Sequence, residues 1–347
     1  MSLTLLIPEG ESQAQSLERQ GGAKVAVLGA GAWGTALALL ASSKGVPVSL
    51  WARRPQHAQA MQEERQNREY LPGALFPESL HPTAEAEEAL HEARLAVVAL
   101  PSKAIRETLG WLPRAAAYVS VTKGLQFTDH HLLRMSQVIE EVTGVGRVAV
   151  LSGPNLADEI ARFLPAAAVV ASRDPELALQ VQQVFSGASF RVYTSSDVIG
   201  VELGGALKNV IALAAGMVDG LGLGDNAKAA LITRGLREII QFGVAQGASE
   251  ATFMGLSGLG DLIATASSPL SRNRNAGERI VKGETLAQLQ AQKNVVEGIY
   301  TVRALHAWGW ATGLELPITE AVYRVIYEDA DPSEQIGALM GRQAKAE

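Results

Sequence analysis

From Lys24 onward, uninterrupted apolar runs alternate with stretches of helical period. The runs KVAVLG (24–29), VPVSLW (46–51), RLAVVAL (94–100), AYVSVT (117–122), RVAVLS (147–152), AAAVVA (166–171) and FRVYTS (190–195) read as seven strands. They lack polar alternation, which predicts burial on both faces. The intervening helical stretches, among them Ala32–Ser43 and Pro175–Phe185, then act as crossovers of a mostly parallel sheet. After about Asp197 the strand signals stop. VELGGALKNVIALAAGM, KAALITRGLREIIQFGVAQG, LAQLQAQ, IYTVRALHAWG and ITEAVYRVIY all carry helical periodicity. The expected fold class is α/β: a sheet domain over 23–196 followed by an all-helical domain over 197–347. Residues 1–22 are read as a loosely ordered extension. No linker separates the two domains, so they should pack tightly and leave a cleft between them.

Composition narrows the function classes. A chain of 347 residues that is 47% hydrophobic can build two cores, and a net charge of −6 argues against non-specific binding to nucleic acid. The absence of cysteine excludes disulfides, thiolate catalysis and Cys-ligated metals. The N-terminus has no basic segment of the signal-peptide kind. NVIALAAGMV, the longest apolar-looking helix, is about half the length of a bilayer span, so no membrane span is expected. The histidines, at 57, 81, 91, 130, 131 and 306, show no metal-ligand spacing, so no metal is expected. There is no nucleophile elbow and no Walker-type phosphate loop.

In VAVLGAGAWGTALALLASSKG, Gly29, Gly31 and Gly34 fit G-x-G-x-x-G between a strand and a helix. The first glycine permits a tight turn. The second lets the backbone approach a pyrophosphate, and the third lets helix and sheet pack closely. A plain packing turn is the alternative. An NAD site usually carries an acid near the end of the next strand, for the ribose 2′-hydroxyl. Here no acid occurs between Val46 and Gln62, and Arg53 and Arg54 stand in its place. Guanidinium groups suit a 2′-phosphate, which favours NADP(H) with NAD(H) possible. Two solvated arginines are the alternative.

Four further segments put polar residues where packing does not require them. SVTKGLQ sets Thr122 and Lys123 just after a strand, and LSGPNLADEI does the same with Ser152, Gly153 and Asn155. Strand ends are where ligands bind in open parallel sheets, although either segment could be a capped turn. VELGGALKNVIALAAG is apolar nearly all round, yet it contains Lys208 and Asn209. A buried ammonium is costly and its pKa falls toward a range useful for proton transfer. A structural Lys208–Glu202 pair is the other reading. Gly204 and Gly205, one turn earlier, suggest close approach of a backbone or ligand. Finally GLSGLGDLIATASSPLSRNRN leads through Asp261 to Arg272, Asn273 and Arg274, a cluster able to grip a phosphate or to be a solvated face.

Taken in order, GAGAWGTALA, VTKGL, SGPNLADE, ELGGALKNVIALAAGMVDGLGLGDNAKAALITRG, GLGDLIATASSPLSRN and VVEG resemble the bacterial, soluble, NAD(P)-dependent glycerol-3-phosphate dehydrogenases, from Val25 to about Glu328. The resemblance implies a Rossmann-type domain followed by a helical domain, commonly in a cytoplasmic homodimer. It implies interconversion of dihydroxyacetone phosphate and sn-glycerol 3-phosphate with NAD(P)H, supplying phospholipid synthesis. It makes Lys208 the catalytic proton donor and acceptor. Lys123, Gly153, Asn155, Asp261, Ser271, Arg272 and Asn273 become substrate positions. Gly29, Gly31, Ala32, Trp33, Gly34, Arg53, Arg54, Lys123, Ala157, Arg272, Val295 and Glu297 become cofactor positions. Two positions depart from the family pattern: Asn155 and Ala32 stand where relatives often carry a hydroxyl side chain. A hydroxyacid or opine dehydrogenase and a non-catalytic NADP(H) sensor remain rival readings at this point.

Overall fold

The computed structural model describes residues 24–129, 131–291 and 295–341. The extension expected over 1–22 and His130 lie outside them. The first half is built on one eight-stranded sheet. Its strands are β1 (Val25–Leu28), β2 (Val48–Trp51), β3 (Leu80–Thr83), β4 (Leu95–Val98), β5 (Tyr118–Ser120), β6 (Val148–Ser152), β7 (Ala166–Ser172) and β8 (Phe190–Ser195). In space they run β8-β7-β6-β5-β4-β1-β2-β3, and every pair is parallel except β6 with β7. β1 sits between β2 and β4, with Val25 beside both Val48 and Leu95. The order reverses at β1, and a crevice opens beyond the carboxyl ends of the strands there. β1, β2, β4 and β6 are buried throughout, as their unbroken apolar runs require.

All seven expected strands are present, with ends drawn in by one or two residues at several of them. The eighth, β3, is an edge strand. Its Pro82 needs no ladder donor there, while Val48 and Ala52 donate their amides to Ser79 and Thr83 at 2.8 and 2.9 Å. Two small hairpins also lie outside the sequence expectation, Gln66–Asn67 with Leu71–Leu75 and Leu125–Thr128 with His131–Arg134.

Among the described residues everything after Ser195 is helix or loop. The helices that matter below are α1 (Ala32–Ser42), α2 (Val198–Gly220), α3 (Asp261–Ser267), α4 (Arg272–Val281) and α5 (Glu297–Thr312). α2 is the axis of the second half. Asp197 caps it, accepting from Gly200 N at 2.8 Å, and its second oxygen accepts from Thr252 at 2.6 Å. α4 crosses α2 at close range: a Cβ on Gly277 would fall 2.0 Å from the Leu213 carbonyl.

α2 is longer than the ten-residue run expected to be the most apolar. At 23 residues it has the length and apolarity of a membrane-crossing helix, but 94% of its most apolar window is buried inside this fold. The Lys208–Glu202 pair does not form. Glu202 instead accepts from Arg134 at 3.1 Å and from the Ser136 amide and hydroxyl at 2.8 and 2.6 Å. This buried carboxylate ties α2 to the start of the Met135–Thr143 helix in the first half.

Candidate active site

A cavity of about 670 Å³ opens where the strand ends meet the helical half. Five strands of the sheet deliver residues to it in spatial order. β2 leads to Arg53 and Arg54, β1 to the glycine turn, β4 to Ala99–Ala104, β5 to Thr122 and Lys123, and β6 to Asn155–Asp158. From β2 to β5 is three inter-strand spacings, on the order of 14 Å, which suits an elongated ligand lying across the switch point.

The glycine turn is built for close approach. Gly29 has φ +115°, and a Cβ there would lie 2.7 Å from the Ala99 carbonyl. A Cβ on Gly34 would lie 2.0 Å from Gly29 O, whereas nothing stands within 4 Å of one on Gly31, which faces the cavity. No side chain caps α1, so its first amides are left to an incoming anion. Trp33 Nε1, on the same turn, is buried without a hydrogen-bond partner. These features fit a dinucleotide pyrophosphate better than a plain packing turn. Asn67 locks the turn from behind, donating to Ala30 O and to Thr35 Oγ1, both at 2.8 Å.

At the β5 side, two lysines converge on one carboxylate. Lys208, 5% exposed, donates from Nζ to Asp261 Oδ1 and to Thr265 Oγ1, the latter at 2.5 Å. Lys123 Nζ donates to Asp261 Oδ2 at 2.6 Å and to Gly153 O at 2.8 Å. Asp261 opens α3, and Thr265 stands one helical turn further on, so both face Lys208 from one side of α3. Burial lowers the Lys208 pKa to about 7; the neighbouring Asp261 carboxylate opposes the fall and the Lys123 charge adds to it. An amine with that pKa, opening on the cavity, can give or take a proton near neutral pH.

A third cation enters from α4. Arg272 is exposed to the cavity, and Glu297, at the start of α5, is its counter-charge. Glu297 accepts from the Ser102 amide and hydroxyl at 3.0 and 2.6 Å, which joins α5 to the loop after β4. Burial raises the Glu297 pKa, and the Ser102 hydrogen bonds oppose that rise. Asn209 and Asn273 form a relay: Asn209 donates to Lys123 O at 3.0 Å, Asn273 donates to Asn209 Oδ1 at 2.9 Å, and Gly298 N donates to Asn273 Oδ1 at 2.9 Å.

The cavity gathers Gly29, Gly31, Ala32, Trp33, Gly34, Arg53, Arg54, Lys123, Asn155, Ala157, Lys208, Ser271, Arg272, Asn273, Val295 and Glu297. Gly153 and Asp261 lie one layer behind that wall and act on it through the lysines. Asn273 is oriented by its neighbours, and Ser271 Oγ caps α4 by accepting from Arg274 N at 3.2 Å. Asn155 Nδ2 reaches Ala167 O at 3.3 Å and its Oδ1 is unpartnered. Arg274 is outside the site, paired with Asp219 at 2.6 Å. Two residues apart on a helix point about 200° from each other, so Arg272 and Arg274 cannot share one face. Gly204 and Gly205 do mark close approach, with added Cβ atoms at 2.5 Å from Ser257 O and 2.4 Å from Ser152 Oγ. Thr265, His57 and Tyr70 line the cavity without having been singled out from sequence. Thr265 was within reach, as the i+4 neighbour of Asp261.

Comparison with known proteins shows the family to which such a chain belongs. Residues 24–178 match the family model for the N-terminus of NAD-dependent glycerol-3-phosphate dehydrogenase, and residues 197–337 match the model for its C-terminus. The chain is 59% identical over 324 residues to a glycerol-3-phosphate dehydrogenase [NAD(P)+] of Thermus thermophilus, covering 93% of this chain and all of that one. It is 50% identical over 331 residues to the Corynebacterium glutamicum enzyme of the same name, covering 93% and 99% of the two chains. The crystal structure of the Coxiella burnetii glycerol-3-phosphate dehydrogenase superposes with a TM-score of 0.87 at 37% identity, over 92% of this chain and 99% of that one. With residues 24–178 and 197–337 so matched and the relatives covered over nearly their whole length, the chain belongs to the NAD-dependent glycerol-3-phosphate dehydrogenase family.

Proposed function

We propose that the protein reversibly reduces dihydroxyacetone phosphate to sn-glycerol 3-phosphate with NAD(P)H, supplying the precursor of glycerophospholipids. One observation carries the reading: a buried lysine with pKa lowered to about 7 opens on the same cavity as a pyrophosphate-type glycine turn. The nicotinamide, when bound, supplies or receives the hydride. The chain's own residues do the rest. Lys208 Nζ donates the proton to the C2 oxygen as negative charge builds there, and accepts it in the oxidation direction. Asp261 and Thr265 aim that ammonium. Lys123 adds positive potential at the same oxygen and orients the substrate with Asn155. Arg272, next to Ser271 and the oriented Asn273, holds the phosphate, whose binding energy positions the reacting carbon.

On the cofactor side, Gly29, Gly31, Ala32, Trp33 and Gly34 take the pyrophosphate, while Lys123, Ala157, Arg272, Val295 and Glu297 border the nicotinamide half. Arg53 and Arg54 face the adenosine ribose, which favours NADP(H) over NAD(H). A division at Asp197 into a nucleotide-binding domain and a substrate domain, a homodimeric state and a cytoplasmic location belong to the same proposal. A sensor would have no use for an aimed proton donor, and a hydroxyacid dehydrogenase would accept a carboxylate where Arg272 stands.

The test is NADPH oxidation followed by absorbance with dihydroxyacetone phosphate, beside unphosphorylated dihydroxyacetone and a 2-keto acid. Turnover with the phosphorylated ketone, and kcat/KM lower by about 10³-fold or more without the phosphate, is the expected result. Preference for the keto acid, or NADPH binding with no turnover at all, would overturn the proposal.

A further inference from the structure

We propose that Glu69 sets the balance between NADPH and NADH by competing with the nucleotide's 2′-phosphate for Arg54. The inference rests on the reading that Arg53 and Arg54 face the adenosine ribose. No acid stands between Val46 and Gln62, where β2 ends, yet the structure supplies one from further along the chain: Glu69 Oε2 lies 2.8 Å from Arg54 Nη2. It arrives on the connection of the Gln66–Leu75 hairpin, fifteen residues downstream.

That connection is fixed on both sides of Glu69. Asn67 is fully buried and ties the hairpin to the glycine turn through Ala30 and Thr35. The Tyr70 amide donates to Asn67 Oδ1 at 3.2 Å, and His57 Nε2 lies 3.0 Å from the same oxygen. The Tyr70 and His57 rings stand 5.4 Å apart and line the cavity with Arg53 and Arg54. The Tyr70 hydroxyl feels the carboxylate: burial raises its pKa first, and the Glu69 charge raises it further. Glu69 is therefore a positioned negative charge at the rim of the ribose end, with its side chain 24% exposed.

The two cofactors differ at that rim by one dianionic group. A 2′-phosphate must draw the Arg54 guanidinium away from Glu69, or share it, while being repelled by the carboxylate. A 2′-hydroxyl meets no such repulsion. Glu69 thus acts through Arg54 as a specificity-determining, positioning residue, lowering the advantage that the two arginines give NADPH.

The experiment measures kcat/KM for NADPH and NADH at saturating dihydroxyacetone phosphate in the wild type, Glu69→Gln, Arg54→Ala and the double variant, at low and high salt. Glu69→Gln keeps the shape of the side chain and should raise the NADPH-to-NADH ratio on the order of three- to tenfold, through the KM for NADPH. The gain should shrink at high salt and in the Arg54→Ala background. Glu69→Ala should move the ratio the same way. If Arg54→Ala lowers the ratio but Glu69→Gln leaves it unchanged, the Glu69 inference is overturned and the cofactor reading stands. A Glu69→Gln gain of equal size in the Arg54→Ala background also overturns it. An unchanged ratio in Arg54→Ala overturns the cofactor reading, and this inference with it.

Discussion

Replacing Lys208 by alanine is expected to lower kcat for dihydroxyacetone phosphate reduction by about 10³-fold or more, with the Kd for NADPH nearly unchanged. The magnitude follows from two contributions lost together. General acid help is worth roughly 10²–10⁴-fold, and a charged donor at a developing alkoxide is worth a comparable factor. Cofactor affinity should persist because the glycine turn, Arg53 and Arg54 belong to β1 and β2, on the far side of the cavity from β5. Steady-state kinetics and a fluorescence titration with NADPH read the two quantities separately. Turnover within tenfold of the wild type would remove Lys208 from the proton transfer.

Changing Asp261 to asparagine is the second large effect, expected at about 10²-fold in kcat with a smaller change in KM. Asp261 receives both lysines, and it is 1% exposed, so losing its charge leaves two ammonium groups facing each other in a buried place. Breaking a buried pair on one side costs about 3–5 kcal/mol, much of it from the charges left behind. The site sheds part of that cost by deprotonating. The Asp261 charge raises the Lys208 pKa and the Lys123 charge lowers it, so removing the carboxylate must lower the Lys208 pKa below about 7. Less of the acid form is then present at neutral pH, so the loss in reduction should be smaller at lower pH and larger at higher pH. A loss in reduction of the same size at pH 6 and at pH 8 would contradict the electrostatic role of Asp261. Circular dichroism checks that the variant is folded.

Much of the sheet was legible because strands buried on both faces must be written as unbroken apolar runs: VAVL, LAVV and VAVLS admit little else. β3 was not, since an edge strand tolerates the LHPT sequence, with an exposed histidine and a proline that need no neighbour. The Gln66–Leu75 hairpin carries neither alternation nor an apolar run, so nothing announced that it folds back on the glycine turn and brings Glu69 and Tyr70 to the ribose end.

In the site, Lys208 stood out as a cation on an otherwise apolar helix. Its partner was harder to choose. Glu202 is six residues away on the same helix, which puts the two side chains about 120° apart, so it could not serve, and the true partner comes from α3, 53 residues downstream. The same helical geometry explains why Arg272 reaches the cavity while Arg274 turns to Asp219.

The central claim is that one buried amine, titrating near neutrality, delivers the proton. The pH dependence of kcat/KM for dihydroxyacetone phosphate reduction in the wild type, beside that of Asp261→Asn, tests it most directly. The acid form is required, and its pKa is lowered to about 7, so the rate should be highest below that pH and fall tenfold per unit above it. In Asp261→Asn the falling limb should move to lower pH. A profile that stays flat from pH 6 to pH 9, or a limb that does not move when the carboxylate is neutralised, would contradict the assignment of Lys208 as the acid.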